Sequence, residues 1–308
     1  MARHPLLGAV RSARGIPRWL LYVGVLLSLL FVVMAVFAPL IAPYGFDQYT
    51  SGGTRFDKLA GPDSHHWMGT TVQSLDVLSR VVFGARTALE VVVLAVVVSI
   101  VIGVPLGLLS GYRGGWLDRV LVLVTDALFA FPYLLLAIVI AFVLAGGAGG
   151  GVVTAATAIT VVYVPQYFRV VRASTLSARE ATYVEAARAL GAKPSTVVVR
   201  YLFSNVVQSV PVIATLNAAD AILTLAGLGF LGYGIQPTEA AEWGYDLQRA
   251  ISDAGAGIWW TALYPGLAIT LLVVALTLVG EGLNEVLNPS LRRRGVSAAV
   301  TLEEATTR

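Results

Sequence analysis

The sequence predicts an all-α membrane protein that crosses the bilayer several times. Three observations point there. The chain has 308 residues, 57% of them hydrophobic and only 13% charged, where soluble domains carry about 25% charged residues. Its mean hydropathy is +0.78. Six apolar segments are each long enough to span, and basic residues gather on alternate connections between them. The chain has no cysteine, which excludes a disulfide framework and a thiolate metal site.

The six predicted spans are Trp19–Ile41, Thr87–Leu109, Val120–Leu144, Val152–Val171, Val206–Leu231 and Ala262–Val286. Crossing a hydrocarbon core of about 30 Å takes about 20 helical residues at 1.5 Å per residue. Lipid offers no partner to an unpaired backbone group, so each span must be helical. The first is too long for the apolar core of a cleavable leader, and no Ala-x-Ala site follows closely, so it reads as a retained helix. The glycine run from Gly146 to Gly151 reads as a tight outer turn, since no lysine follows to make it a phosphate cradle.

Charge placement orients the spans. With the N-terminus inside, Arg3, Arg11, Arg14, Arg18, Arg113 and Arg119 lie on the inner side. So do Arg169, Arg172, Arg179, Arg188, Lys193 and Arg200 after the fourth span, and Arg292, Arg293, Arg294 and Arg308 in the tail. Only Arg55, Lys58, Arg80, Arg86 and Arg249 fall outside. This positive-inside bias predicts that both termini are cytoplasmic. The predicted organisation is a cytoplasmic segment over 1–18, a first helix with its outer segment over 19–85, a five-helix core over 86–291 and a cytoplasmic tail over 292–308.

Within the core, the polar inner loop 173–205 predicts two short helices. Ser177-x-x-Glu180 has the form of a capping box, Gly191 suits a left-handed helix end, and Pro194 suits the first turn of a second helix. Ala186 and Ala187 keep the first helix thin enough for a groove. An ordinary interfacial helix pair would satisfy the same residues.

Glu185-Ala186-Ala187 followed by Gly191 resembles the EAA loop of ABC-transporter permeases. The resemblance extends along the chain in order. His66-Trp67-Met68-Gly69-Thr70, Asp76-Val77-Leu78-Ser79-Arg80, Gly111-Tyr112-Arg113-Gly114-Gly115-Trp116-Leu117-Asp118, Phe230-Leu231-Gly232-Tyr233-Gly234-Ile235-Gln236-Pro237, Glu242-Trp243-Gly244, Tyr264-Pro265-Gly266 and Leu287-Asn288-Pro289 are similar to stretches of permeases of the dipeptide and oligopeptide (and nickel) type. It covers roughly Pro39 to Leu291 and is closest to their second permease subunit. The family commonly has further acidic, glycine and arginine residues before its second span, where Thr71–Leu75 stand here. It also has a glutamate at the place of Leu225 and Leu-Pro at the place of Phe203-Ser204.

The resemblance implies a multi-pass subunit of the bacterial inner membrane, without a catalytic site. It implies transport of peptides by alternating access, and coupling to ATPase chains through Tyr183, Glu185, Ala186, Ala187, Arg188 and Gly191. Implied partners are a second permease, two ATPase units holding ATP and Mg, and an external binding protein. The chain itself lacks a Gly-x-x-x-x-Gly-Lys-Ser/Thr loop, and no metal or cofactor is expected on it. The paired His65 and His66 read as interfacial residues rather than ligands.

Asp126 and Asp220 are ionisable groups inside predicted spans and are candidates for the substrate pathway. An ion-coupled secondary transporter using both as a relay is the alternative, as are simple interhelical hydrogen bonds. The long outer loop after Leu231 carries Glu242, Trp243 and Tyr245, which are expected to line the pathway mouth or touch a binding protein. Trp259 and Trp260 suit a membrane-interface belt.

Overall fold

The computed structural model describes residues 16–148 and 150–287. The expected basic segment up to Arg14, Gly149 of the outer turn, Asn288-Pro289 and the tail 292–308 lie outside the described residues.

The architecture is a helical bundle with helix α1 (Ile16–Val36), a turn α2 (Ala38–Ile41), α3 (Val77–Arg113), α4 (Gly115–Phe129), α5 (Tyr133–Ala148) and α6 (Val152–Arg179). A short helix α7 (Thr182–Ala189) follows, and then a long irregular helical run ending in α8 (Val210–Phe230). A helix α9 (Trp243–Gly255) and a last long helix α10 (Trp260–Leu287) complete it. Between α2 and α3 a two-residue hairpin pairs Thr50–Ser51 with Thr54–Arg55 antiparallel.

Four helical runs are long and apolar enough to cross a membrane: Trp19–Val36, Val77–Arg113, Pro194–Phe230 and Trp260–Glu285. The third expected span, Val120–Leu144, is not one straight helix. The chain bends by 95° between Gly115–Phe129 and Tyr133–Ala145, and counting this broken pair gives a fifth. Pro132 supplies the break, because it has no N–H to donate and it biases Phe131 away from helical angles.

The fourth expected span begins as read but runs on to Arg179, 28 residues in all. It is long enough to cross but is not among the runs that are also apolar enough. Its environment explains its composition: Ile159, Tyr163, Tyr167, Phe168 and Val171 are buried in the protein, so its polar residues need not meet lipid. The capping box expected at Ser177 does not form. Ser177 lies inside α6, and α7 starts after Ala181 with no side-chain cap. The tertiary packing of α6 carries the helix past a local start signal.

The centre of the bundle is the seam between α3 and α6. Ala95, Ser99, Gly103, Gly107 and Gly111 recur every fourth residue and form one stripe on α3. A Cβ on Gly103 would lie 2.7 Å from Tyr167 Cβ, on Gly107 2.7 Å from the Phe168 carbonyl, and on Gly111 2.7 Å from Thr175 Cβ. The backbones therefore approach closely, as small residues permit in membrane helix pairs. Polar groups cross the same seam: Ser99 Oγ donates to Thr160 O at 3.3 Å and Thr160 Oγ1 to Ala95 O at 3.4 Å. At the edge of the bundle, α1 packs on α10 in the same way. Gly24 faces Leu278 and Val279, and Gly282 faces Leu21.

A side chain in the α3 stripe is expected to force the seam apart. Gly107→Val should destabilise by roughly 1–3 kcal/mol or more and lower the thermal midpoint of the purified protein by several degrees. Val101→Leu, on a face where Val101 is 65% exposed, should not. An unchanged midpoint for Gly107→Val would contradict the close approach.

Candidate functional site

The loop helix α7 is seated by two apolar side chains. Val184 and Ala187 are buried, while Tyr183, Glu185, Ala186, Arg188 and Leu190 are exposed. Leu190 is 88% exposed, an apolar side chain that the described residues leave uncovered. The helix ends as read. Gly191 has φ of +80°, and the Ala192 and Gly191 N–H groups donate back to Ala187 O at 3.0 Å and Arg188 O at 2.9 Å. This pair of bonds is the Schellman arrangement, and a glycine takes its left-handed angle without a Cβ penalty. Pro194 then opens the next helical turn, also as read.

The loop is fastened to the bundle by polar contacts. Arg188 stacks over the Tyr112 ring at 5.5 Å from the centroid. Arg179 donates to Gly111 O at 3.0 Å. Arg172 clamps Asp118, with Nη2 to Oδ2 at 2.8 Å, and Ser110 donates to the same carboxylate. Asn205 Nδ2 donates to the Tyr183 hydroxyl at 3.0 Å. The exposed face of α7 is thus presented on a fixed base, joined to both α3 and α6. Sequence reading named Arg172 only for its charge and Asp118 only within a family-like stretch, and gave neither of them, nor Asn205, a place in the site. The Arg172–Asp118 pair joins residues 54 apart in the chain, so no local pattern signals it.

Neither candidate pathway acid hydrogen-bonds to this clamp among the described residues. Asp126 pairs with Arg169 at 3.0 Å, with both side chains more than half exposed, and Arg169 also stacks on Phe129. Asp220 is exposed on α8. One turn on, Thr224 Oγ1 donates to the Asp220 backbone carbonyl at 3.0 Å and lies 3.2 Å from the Tyr163 hydroxyl. No hydrogen bond or ion pair joins Asp126 to Asp220 among the described residues.

The outer loop corrects one expectation. Glu242, Trp243 and Tyr245 are only 3%, 2% and 7% exposed, so they offer almost no surface to a binding protein. They fasten α9 instead. Trp243 Nε1 donates to Val81 O at 3.1 Å, and its ring lies edge-on to Phe31. Glu242 caps α9 by accepting from the Gly244 and Tyr245 N–H groups at 2.8 and 2.7 Å. Beneath them Arg80 grips Asp246 at 2.7 and 2.9 Å and donates to Phe46 O at 3.1 Å. His66 pairs with Asp76 at 2.9 Å between the Tyr44 and Phe56 rings, an interior position rather than an interfacial one. Trp259 is exposed, while Trp260 donates to Thr70 O at 3.2 Å.

Burial pushes the Glu242 carboxyl up to about 8. The Gly244 and Tyr245 N–H groups and Arg80 oppose the rise, and Asp246 adds to it. The folded state therefore holds this proton more tightly than the unfolded chain.

Long packed helices thus carry a fastened loop helix at one end and a buried polar cluster at the other. Residues 103–293 match the family described as binding-protein-dependent transport system inner membrane component. The glutathione transport system permease protein GsiD of Pectobacterium atrosepticum is 37% identical over 268 residues, 87% of this chain and 86% of that one. The same-named protein of Escherichia coli O6:K15:H31 is 38% identical over 268 residues, 87% of this chain and 85% of that one. The dipeptide transport system permease protein DppC of Alkalihalophilus pseudofirmus is 36% identical over 273 residues, 88% of this chain and 86% of that one. The chain belongs to this family of inner-membrane transport components.

Two outcomes test the outer clamp. Arg80→Met leaves Asp246 buried and unpaired and is expected to cost about 3–5 kcal/mol, whereas the double change Arg80→Met with Asp246→Leu should recover most of it. Equal thermal midpoints for single and double variants would contradict this. For Glu242, the stabilisation from the retained proton is full below its ordinary value of 4.5 and is lost as pH rises through about 8. The thermal midpoint should fall across that window, and Glu242→Gln should flatten the fall. An identical pH profile in Glu242→Gln would contradict the assignment.

Proposed function

We propose that this chain is a permease subunit of an ATP-driven importer of short peptides. It spans the bacterial inner membrane six times with both termini inside, counting the bent α4–α5 pair and α6 as spans. A second permease completes the pathway, and an external binding protein delivers the peptide. Two ATPase subunits, which hold ATP and Mg, dock on the cytoplasmic face. The relatives named for glutathione and dipeptide transport support a peptide substrate.

The observation that carries this reading is the presentation of α7. Its outward residues Glu185, Ala186 and Leu190 stand on a base of buried Val184 and Ala187, ready for a groove on a partner. The small Ala186 lets that partner approach closely, and the Gly191 corner fixes the direction of the following segment. Closure of the ATPase pair draws two such helices together. Because α7 is tied to α3 and α6, the packed helices follow as a body, and the cavity between the permeases opens to the other side. The permease supplies geometry and a weak site, while ATP hydrolysis on the partners supplies the free energy.

The relay reading of Asp126 and Asp220 is disfavoured by the Arg169 partner of Asp126.

The tests use the assembled complex. Glu185→Ala should reduce ATPase retention on purification and ATP-driven uptake into proteoliposomes while membrane insertion persists. Gly191→Val forces a β-branched residue to positive φ, costing about 1 kcal/mol or more, and should do the same. Full uptake and full ATPase recovery in both would contradict the docking role. Since the chain has no cysteine, Ser195→Cys is expected to be protected from an impermeant thiol reagent in intact cells and Thr238→Cys to be labelled. The reverse would contradict the topology.

A further inference from the structure

The helical run from Pro194 to Phe230 is irregular at its inner end. A π-helical turn covers Val197–Leu202 and a 3-10 turn covers Val207–Ser209, and Pro211 follows in the first turn of α8. Side chains fold back onto the carbonyls of this stretch. Ser204 Oγ donates to Arg200 O at 3.1 Å, Asn205 Nδ2 to Tyr201 O at 2.9 Å, Gln208 Nε2 to Ser204 O at 3.3 Å and Ser209 Oγ to Val206 O at 2.9 Å. Irregular backbone near a membrane is tolerated where it is buried in protein or lines a polar cavity. Such a cavity is present. It has a volume of about 370 Å³ and is lined by Ser174 of α6, Asn205, Gln208 and Ser209 of the irregular run, Val212 and Ile213 of α8, and Asn284 of α10. Among the described residues no charged side chain lines it.

The orientation of the two amides defines the ligand chemistry. Backbone carbonyls can only accept, so the nitrogens of Asn205 and Gln208 must face Tyr201 O and Ser204 O. The second N–H of Asn205 is taken by the Tyr183 hydroxyl at 3.0 Å. Their carbonyl oxygens remain as acceptors for a ligand. Two uncharged acceptors suit the two donors of a short peptide, its amide N–H and its terminal ammonium. The volume falls within the usual range of small-ligand sites, about 300–1,000 Å³. The same Asn205 that would hold the ligand also holds Tyr183 of α7, so occupancy and the loop helix share one amide.

We propose that this inner cavity binds the backbone of a short peptide from the cytoplasmic side, and that the Asn205–Tyr183 bond transmits its occupancy to α7, slowing ATP turnover as peptide accumulates. The inference rests on the importer reading and adds to it a feedback site distinct from the pathway acids Asp126 and Asp220.

The test uses the complete complex in lipid nanodiscs without binding protein, with alanyl-alanine as the probe. ATP hydrolysis is measured with and without the dipeptide, as a ratio in which changes of basal rate cancel. The ratio should fall as dipeptide rises, and Asn205→Ala and Gln208→Ala should each shift the half-effective concentration upward about fivefold, the loss of one hydrogen bond. Ser209→Cys in the cysteine-free chain gives a second readout: the dipeptide should slow its reaction with a thiol reagent. Unchanged hydrolysis and unchanged labelling, in a complex that still imports dipeptide with ATP, would overturn the feedback site and leave the importer standing. Slowed labelling with unchanged hydrolysis would overturn the link to α7. A complex that neither retains ATPase subunits nor takes up dipeptide would overturn both.

Discussion

The close contact of α3 with α6 is the constraint on which the rest of the structure depends. It requires small residues at every fourth position from Ala95 to Gly111, and at Gly103, Gly107 and Gly111 the approach of α6 leaves no room even for a Cβ. A membrane helix pair gains no hydrophobic drive from leaving lipid, so van der Waals contact and cross-seam hydrogen bonds must hold it. The contact fixes α6 to its last turn, and α7 hangs from that turn. The Arg172–Asp118 and Arg179–Gly111 contacts extend the same seam into the polar region. Through Arg188 on the Tyr112 ring, α7 is joined directly to the last turn of α3.

The opposite end is closed by a different principle. Here charges are buried rather than avoided. Arg80 of α3, and Glu242 and Asp246 in the first turn of α9, have almost no exposure. Arg80 and Asp246 tolerate this as a pair with further hydrogen bonds, and Glu242 by capping a helix and holding its proton. Ion pairing of this kind contributes little net stability compared with an apolar replacement, but its geometry fixes how α9 docks. The α9 cluster at one end and the fastened α7 loop at the other leave the irregular stretch from Pro194 to Ser209 as the place where the helical register departs most from α.

What was legible in the sequence was local. Gly191 and Pro194 marked the corner correctly because a left-handed end and a helix start are decided by neighbouring residues. The long apolar runs marked α1, α3, α8 and α10 for the same reason. Long-range contacts decided the rest. Ser177 and Glu180 had the right spacing for a cap, yet burial of α6 carried the helix through them. Phe131-Pro132 announced a break that continuous apolarity concealed. Trp243 looked exposed in a polar loop, but its partner Val81 is 162 residues away. The small-residue stripe on α3 was readable at a spacing of four, and it is the signal that would have located the seam.

The central claim is that the exposed face of α7 docks an ATPase, and Leu190, with 88% of its surface uncovered, is the place to test it. Leu190→Cys, the single thiol in the chain, would carry a short photoreactive crosslinker in the purified complex. The account predicts an adduct with the ATPase chain and protection of the thiol from reagent in the assembled complex. A thiol that stays freely reactive, with no ATPase adduct in a complex that still hydrolyses ATP, would contradict it.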